Sequence, residues 1–111
     1  MTDGLVASMN GMSAIVKERA VEVELVERVV ARGGLCEKVM VVGKRGFFDR
    51  LIVLPVHGGP PRIIFAEIKR PRFSRIAPHQ QKYYDTFRAL GVVDVYFVRN
   101  SADIDRLLAA P

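Results

Sequence analysis

Arg62-Ile63-Ile64-Phe65-Ala66-Glu67-Ile68-Lys69 is a run of branched and aromatic residues, followed by Pro71, that reads as a strand carrying an acid and a base in its second half. Residues two apart on a strand share a face, so Glu67 and Lys69 lie together with Cα atoms roughly 6.5–7 Å apart. Ile64, Ala66 and Ile68 take the other face. An acid and a lysine so spaced also fit a solvated sheet edge; the flanking Ile63-Ile64-Phe65-Ala66 argue for an interior strand.

Working back from this strand, His57-Gly58-Gly59-Pro60-Pro61 is a short turn-forming segment. It makes the preceding apolar run, Phe48 to Pro55, the antiparallel partner in a hairpin. Gly46-Phe47-Phe48-Asp49 then sets a second carboxylate at the mouth of that partner, either as a turn residue or facing Glu67 across the hairpin. Two acceptor-only carboxylates beside a mobile ammonium suit a hard divalent cation and a water next to a phosphate.

Outward from the hairpin the other elements follow by periodicity. Val16 to Arg32 predicts a helix stopped by Gly33-Gly34, and Leu35 to Val42 a first strand. Gln80 to Leu90, with Pro78 in its first turn, predicts a second helix ending at Gly91. Val92 to Val98 predicts a fourth strand, parallel to a central one because a helix crosses over to it. A last helix capped by Ser101 runs to Ala109. The expected order is α-β-β-β-α-β-α: an α/β fold with a mixed central sheet flanked by helices, residues 1–15 as a loose tail and 16–111 as one domain.

The 111 residues suit a single core. No apolar run approaches the ~20 residues of a membrane span, and the start lacks the charged beginning of a secretory signal. The lone Cys36 cannot form an intrachain disulfide; a reducing, cytoplasmic setting is the expectation. The net charge of +5 is local: Val41 to Arg75 holds eight basic residues and two acids, Asp49 and Glu67, and the remainder is nearly balanced. Lys44, Arg45, Arg50, Arg70, Arg72 and Arg75, joined by Lys82 on the second helix, are therefore candidate DNA-binding cations. A solubilising face would carry the same charge.

Two polar residues occupy apolar helical faces. Glu22 lies within about 60° of Leu25, Val26 and Val29, and needs a cation, a hydrogen-bonded partner or a pocket open to water. Gln80 stands similarly against Tyr83, Tyr84 and Phe87, with Gln81 at the stripe's edge. His57 and His79 have no zinc-ligand spacing, and no P-loop or nucleophile elbow is present.

Taken in order, a helix bearing Glu22, Gly46-Phe47-Phe48-Asp49, Glu67-Ile68-Lys69 and Gln80 resemble the virus-type replication-repair nuclease (VRR-NUC) domain, within the PD-(D/E)XK, restriction-endonuclease-like superfamily. The likeness runs from about Lys17 to Leu108. It implies that Asp49 and Glu67 ligate Mg2+ or Mn2+ with help from the Ile68 carbonyl, and that Glu22 completes or tunes the site. Lys69 would orient or deprotonate the attacking water, and Gln80 would position water or the scissile phosphate. One departure is visible: family members usually have proline before the motif aspartate, and here Phe48 retains a donor N–H and relaxes the backbone. The implied function is a metal-dependent endonuclease acting on branched DNA as a homodimer. The alternatives are a catalytically inactive nucleic-acid-binding module of the same fold, or a small protein whose basic face meets an acidic protein.

Overall fold

The computed structural model describes residues 14–69 and 75–109, with side chains from Lys17 onward. Helix α1 spans Ala14–Ala31, strands β1, β2 and β3 span Leu35–Lys38, Arg50–Val56 and Gly59–Ile68, helix α2 spans Pro78–Ala89, strand β4 spans Val95–Val98 and helix α3 spans Ser101–Ala109. The sheet order is β1-β2-β3-β4, antiparallel except for the parallel β3–β4 pair. Among the described residues no helix is long and apolar enough to cross a membrane. Most of the expected tail, residues 1–13, lies outside the described residues, whereas residues 14 and 15 already belong to α1.

Helix α1 ends because Gly33 takes φ +79° and two bonds close the turn. Gly34 N–H donates to the Val29 carbonyl at 3.0 Å and Gly33 N–H to that of Val30 at 2.9 Å, which together satisfy two carbonyls the helix would otherwise orphan. A side chain at Gly34 would meet the Val53 carbonyl at 2.7 Å, so the chain enters β1 pressed against β2.

Three strand boundaries differ most from expectation. β1 stops at Lys38, not Val42: after Val39 N–H donates to the Asp49 carbonyl at 2.7 Å the ladder ends, and Met40 and Val42 are exposed. β3 begins at Gly59, because His57 and Gly58 alone form the turn and both prolines enter the strand. They are tolerated there since β4 pairs only with Phe65 to Ile68, leaving that stretch of β3 an edge, opposite a register shift between Leu54 and Val56. β4 begins at Val95, since Val92 N–H still bonds back to Phe87 at 2.8 Å.

The pleat divides the molecule. One face of the sheet presents Cys36, Ile52, Leu54, Ile64, Ala66 and Ile68 to Leu25 and Val29 of α1 and to Ile104, Leu107 and Leu108 of α3. The other face presents Phe65 and Phe97, which with Phe47 and Phe48 meet Tyr83, Tyr84 and Phe87 of α2 through ring contacts of 5.1–6.2 Å. Glu67 and Lys69 fall on the α2 face by the same alternation.

Candidate active site

Asp49 is the last residue before β2, and its position depends on its neighbours. Phe48 is 1% exposed, with Phe87 5.3 Å and Phe65 6.1 Å away, so the residue standing where the resemblance implies proline is a core anchor. Gly46 has φ +84°, and a Cβ there would lie 2.2 Å from His79 Cδ2. The loop thus closes on the start of α2 only with glycine at that point. Asp49 Oδ2 accepts the backbone N–H of Ile68 at 3.0 Å. Along a strand the N–H and C=O of one residue share an edge. The Ile68 carbonyl is therefore on the Asp49 side, while Lys69 N–H turns the other way, to the Val98 carbonyl at 2.8 Å.

Glu67 and Lys69 are 6% and 9% exposed, and the amide of Gln80 lies between them. Gln80 Nε2 donates to Glu67 Oε2, and Gln80 Oε1 accepts from Lys69 Nζ and, at 3.4 Å, from the N–H of Ala77. The last contact fixes the helix start, where Ala77 has no side-chain acceptor of its own. Lys69 Nζ also donates to the Arg75 carbonyl at 3.4 Å, a contact with no signature in sequence. Gln81 is turned outward, donating to Asp85 at 2.9 Å.

Burial, reinforced by the adjacent Asp49 charge, pushes the Glu67 carboxyl up to about 7 against the pull of Lys69. Glu67 Oε1 is buried with no hydrogen-bond partner. A cation beside Asp49 and Glu67 would answer both the repulsion and the orphaned oxygen, and an all-oxygen donor set suits Mg2+ or Mn2+. Among the described residues no group of three His, Cys, Asp or Glu side chains forms a ligand set. The protein offers such an ion two carboxylates and a backbone oxygen.

Glu22 is elsewhere. Its Oε2 accepts from both Nε and Nη2 of Arg50 at 3.0 Å, joining α1 to the start of β2. The polar residue on the apolar helical face thus has an arginine for its cation. Arg50, expected on the DNA face, is held in that pair with its side chain 16% exposed. Both departures share one cause: β2 alternation turns Arg50 toward α1, away from the Glu67 face.

No family model matches the chain. It is 34% identical over 96 residues to "Putative nuclease p44" of Acyrthosiphon pisum secondary endosymbiont phage 1, covering 86% of this chain and 96% of the relative. A solved structure described as a VRR_NUC domain superposes with a TM-score of 0.73 at 33% identity, covering 83% of this chain and 94% of the other. The chain belongs to the VRR-NUC nuclease family. Its mixed four-stranded sheet with helices in the order α-β-β-β-α-β-α is the VRR-NUC fold.

On this VRR-NUC domain three of the expected cations gather beside α2. Lys44 and Arg45 from the loop after β1 face His79 and Lys82 across a cleft of about 380 Å³, with Gly43, Tyr83 and Thr86 completing it. Arg75 is exposed next to the Lys69 contact, whereas Arg70 and Arg72 lie outside the described residues. Sequence reasoning did not foresee Tyr83 and Thr86 in this cleft. The signal was the i, i+3, i+4, i+7 spacing of His79, Lys82, Tyr83 and Thr86, a second stripe beside the one that packs on the sheet.

Proposed function

We propose that this protein is a metal-dependent endonuclease that hydrolyses phosphodiester bonds in DNA, with branched DNA as its preferred substrate. The observation that carries the reading is the Gln80 amide holding Glu67 and Lys69 in register beside Asp49. Asp49, Glu67 and the Ile68 carbonyl are the residues to hold Mg2+ or Mn2+, and Glu22 supports them at one remove by fixing Arg50, the residue after Asp49. When bound, the ion polarises the phosphate and lowers the pKa of a coordinated water.

The remaining roles belong to the chain. Lys69, kept in place by Gln80 and the Arg75 carbonyl, orients the attacking water and offsets charge building on the phosphoryl oxygens. Gln80 exchanges part of this network for a water or a phosphate oxygen as substrate enters. Lys44, Arg45, Lys82 and Arg75 draw in the polyanion. A chain with one such centre needs two copies to cut paired strands symmetrically, so the working unit is a twofold homodimer.

The test is a cleavage panel of four-way junctions, flaps, single strands and duplex with Mg2+ or Mn2+, alongside light scattering for mass. Metal-dependent cutting strongest on branched DNA is expected. Intact DNA throughout would leave the inactive binding module as the reading.

A further inference from the structure

The cleft between the loop after β1 and helix α2 has a composition that phosphate binding alone does not require. Lys44, Arg45 and Lys82 provide the cations, but its wall is the ring of Tyr83, beside Thr86 and the bare backbone of Gly43. Tyr83 cannot swing freely, because its ring packs edge-on against Phe47 at 5.3 Å. A rigid aromatic wall with a cationic rim and a volume of about 380 Å³ is within the range of small-molecule sites. It is the combination that single-stranded nucleic-acid sites use, with charge on the backbone and a ring for the base.

Position adds to composition. His79 lines the cleft, and the next residue, Gln80, bonds to Glu67 and Lys69. Gly46 lets the loop that carries Asp49 approach the same His79. Consecutive residues of α2 thus line the cleft and bridge Glu67 to Lys69.

We infer that this cleft receives one unstacked nucleotide of the substrate strand, flanking the phosphate to be cut, with its base against Tyr83. The inference rests on the nuclease reading for the phosphate it places beside the cleft and for its purpose, but not for its measurement. A fully stacked duplex offers no such base, whereas branched and frayed DNA do. The cleft therefore supplies a physical basis for a preference for branches that the acidic centre does not contain.

The experiment uses the full chain and a four-way junction carrying 2-aminopurine at successive positions, titrated without divalent ions so that cutting plays no part. Fluorescence should rise on binding at one or two positions near the branch. Thr86→Trp, which fills the cleft from an exposed helical position, should abolish that rise and weaken junction affinity roughly 5-fold or more. Tyr83→Leu should do likewise and Tyr83→Phe should not; thermal melting checks that each variant folds. Lys44→Gln should weaken binding and flatten its salt dependence while leaving the rise in place. No rise at any position, or a rise unchanged in Thr86→Trp and Tyr83→Leu, overturns the inference. Unstacking without cleavage in the metal panel would leave the cleft standing and remove the nuclease reading; cleavage without unstacking would do the reverse.

Discussion

Gln80 Nε2 donates to Glu67 Oε2 across the gap between α2 and β3, while the other end of the same amide accepts from Lys69. One neutral side chain thereby separates an acid from a base that would otherwise close on each other as an ion pair. Lys69→Ala should abolish cleavage and largely spare DNA binding, measured by single-turnover cleavage and fluorescence anisotropy. Gln80→Ala should lower the rate by about 10–100-fold, since it removes the positioning of both charged groups but neither group itself. Undiminished turnover in Lys69→Ala would refute its role.

The Glu67 carboxyl, raised from 4.5 to about 7, links stability to pH. The folded chain binds this proton more tightly than the unfolded one. The stabilisation from protonation is therefore complete below about pH 4.5 and is lost as pH climbs to about 7. At ~1.4 kcal/mol per unit the loss amounts to about 3–4 kcal/mol in metal-free protein. Urea denaturation between pH 5 and 8 should show it, and Glu67→Gln should flatten the profile. Affinity for Mg2+ or Mn2+ should rise over the same interval, since a cation competes with the proton.

Phe48 is buried among Phe47, Phe65, Phe87 and Phe97. Phe48→Ala should cost about 3–5 kcal/mol of stability by leaving a cavity. Phe48→Leu should cost less and retain most activity at a temperature where the variant is folded. Equal and large activity losses in both would show that the ring does more than anchor Asp49.

A methyl group at position 46 would meet His79 while the backbone stays at φ +84°. Gly46→Ala should lose roughly 1–3 kcal/mol and cut poorly, with Asp49 displaced. His79→Ala in the same chain should recover the part due to the clash and not the part due to φ. A double-mutant cycle on thermal stability separates the two.

The element order and the hairpin were legible because helices, strands and turns leave local periods and punctuation. Glu67, Lys69 and Gln80 were legible as polar residues among apolar neighbours, whereas Asp49 also read as a turn residue and joined them through the family resemblance. Partners far apart in sequence were not. Glu22 announces a buried charge, yet nothing local says that Arg50, rather than a metal, answers it. Arg62 likewise counted only as one basic residue in a cluster. It is 9% exposed, forks onto Asp94 at 2.9 and 3.1 Å and donates to the Leu107 carbonyl at 2.8 Å, tying β3 to the approach to β4 and to α3. Charge counted along the chain does not say which face of the sheet it reaches.

The alternation of β3 gives the length of this strand a weight equal to its composition. Adding or deleting one residue between Phe65 and Glu67 would keep every side chain of the proposed centre in the sequence. It would nonetheless rotate Glu67 and Lys69 into the aliphatic layer under α1 and α3, and turn an aliphatic neighbour toward Gln80. Drift in this protein is therefore expected to be permissive of substitution along the aliphatic side and closed to insertion or deletion in the strand. The reading frame of the pleat, as much as any one acid, is what carries the chemistry.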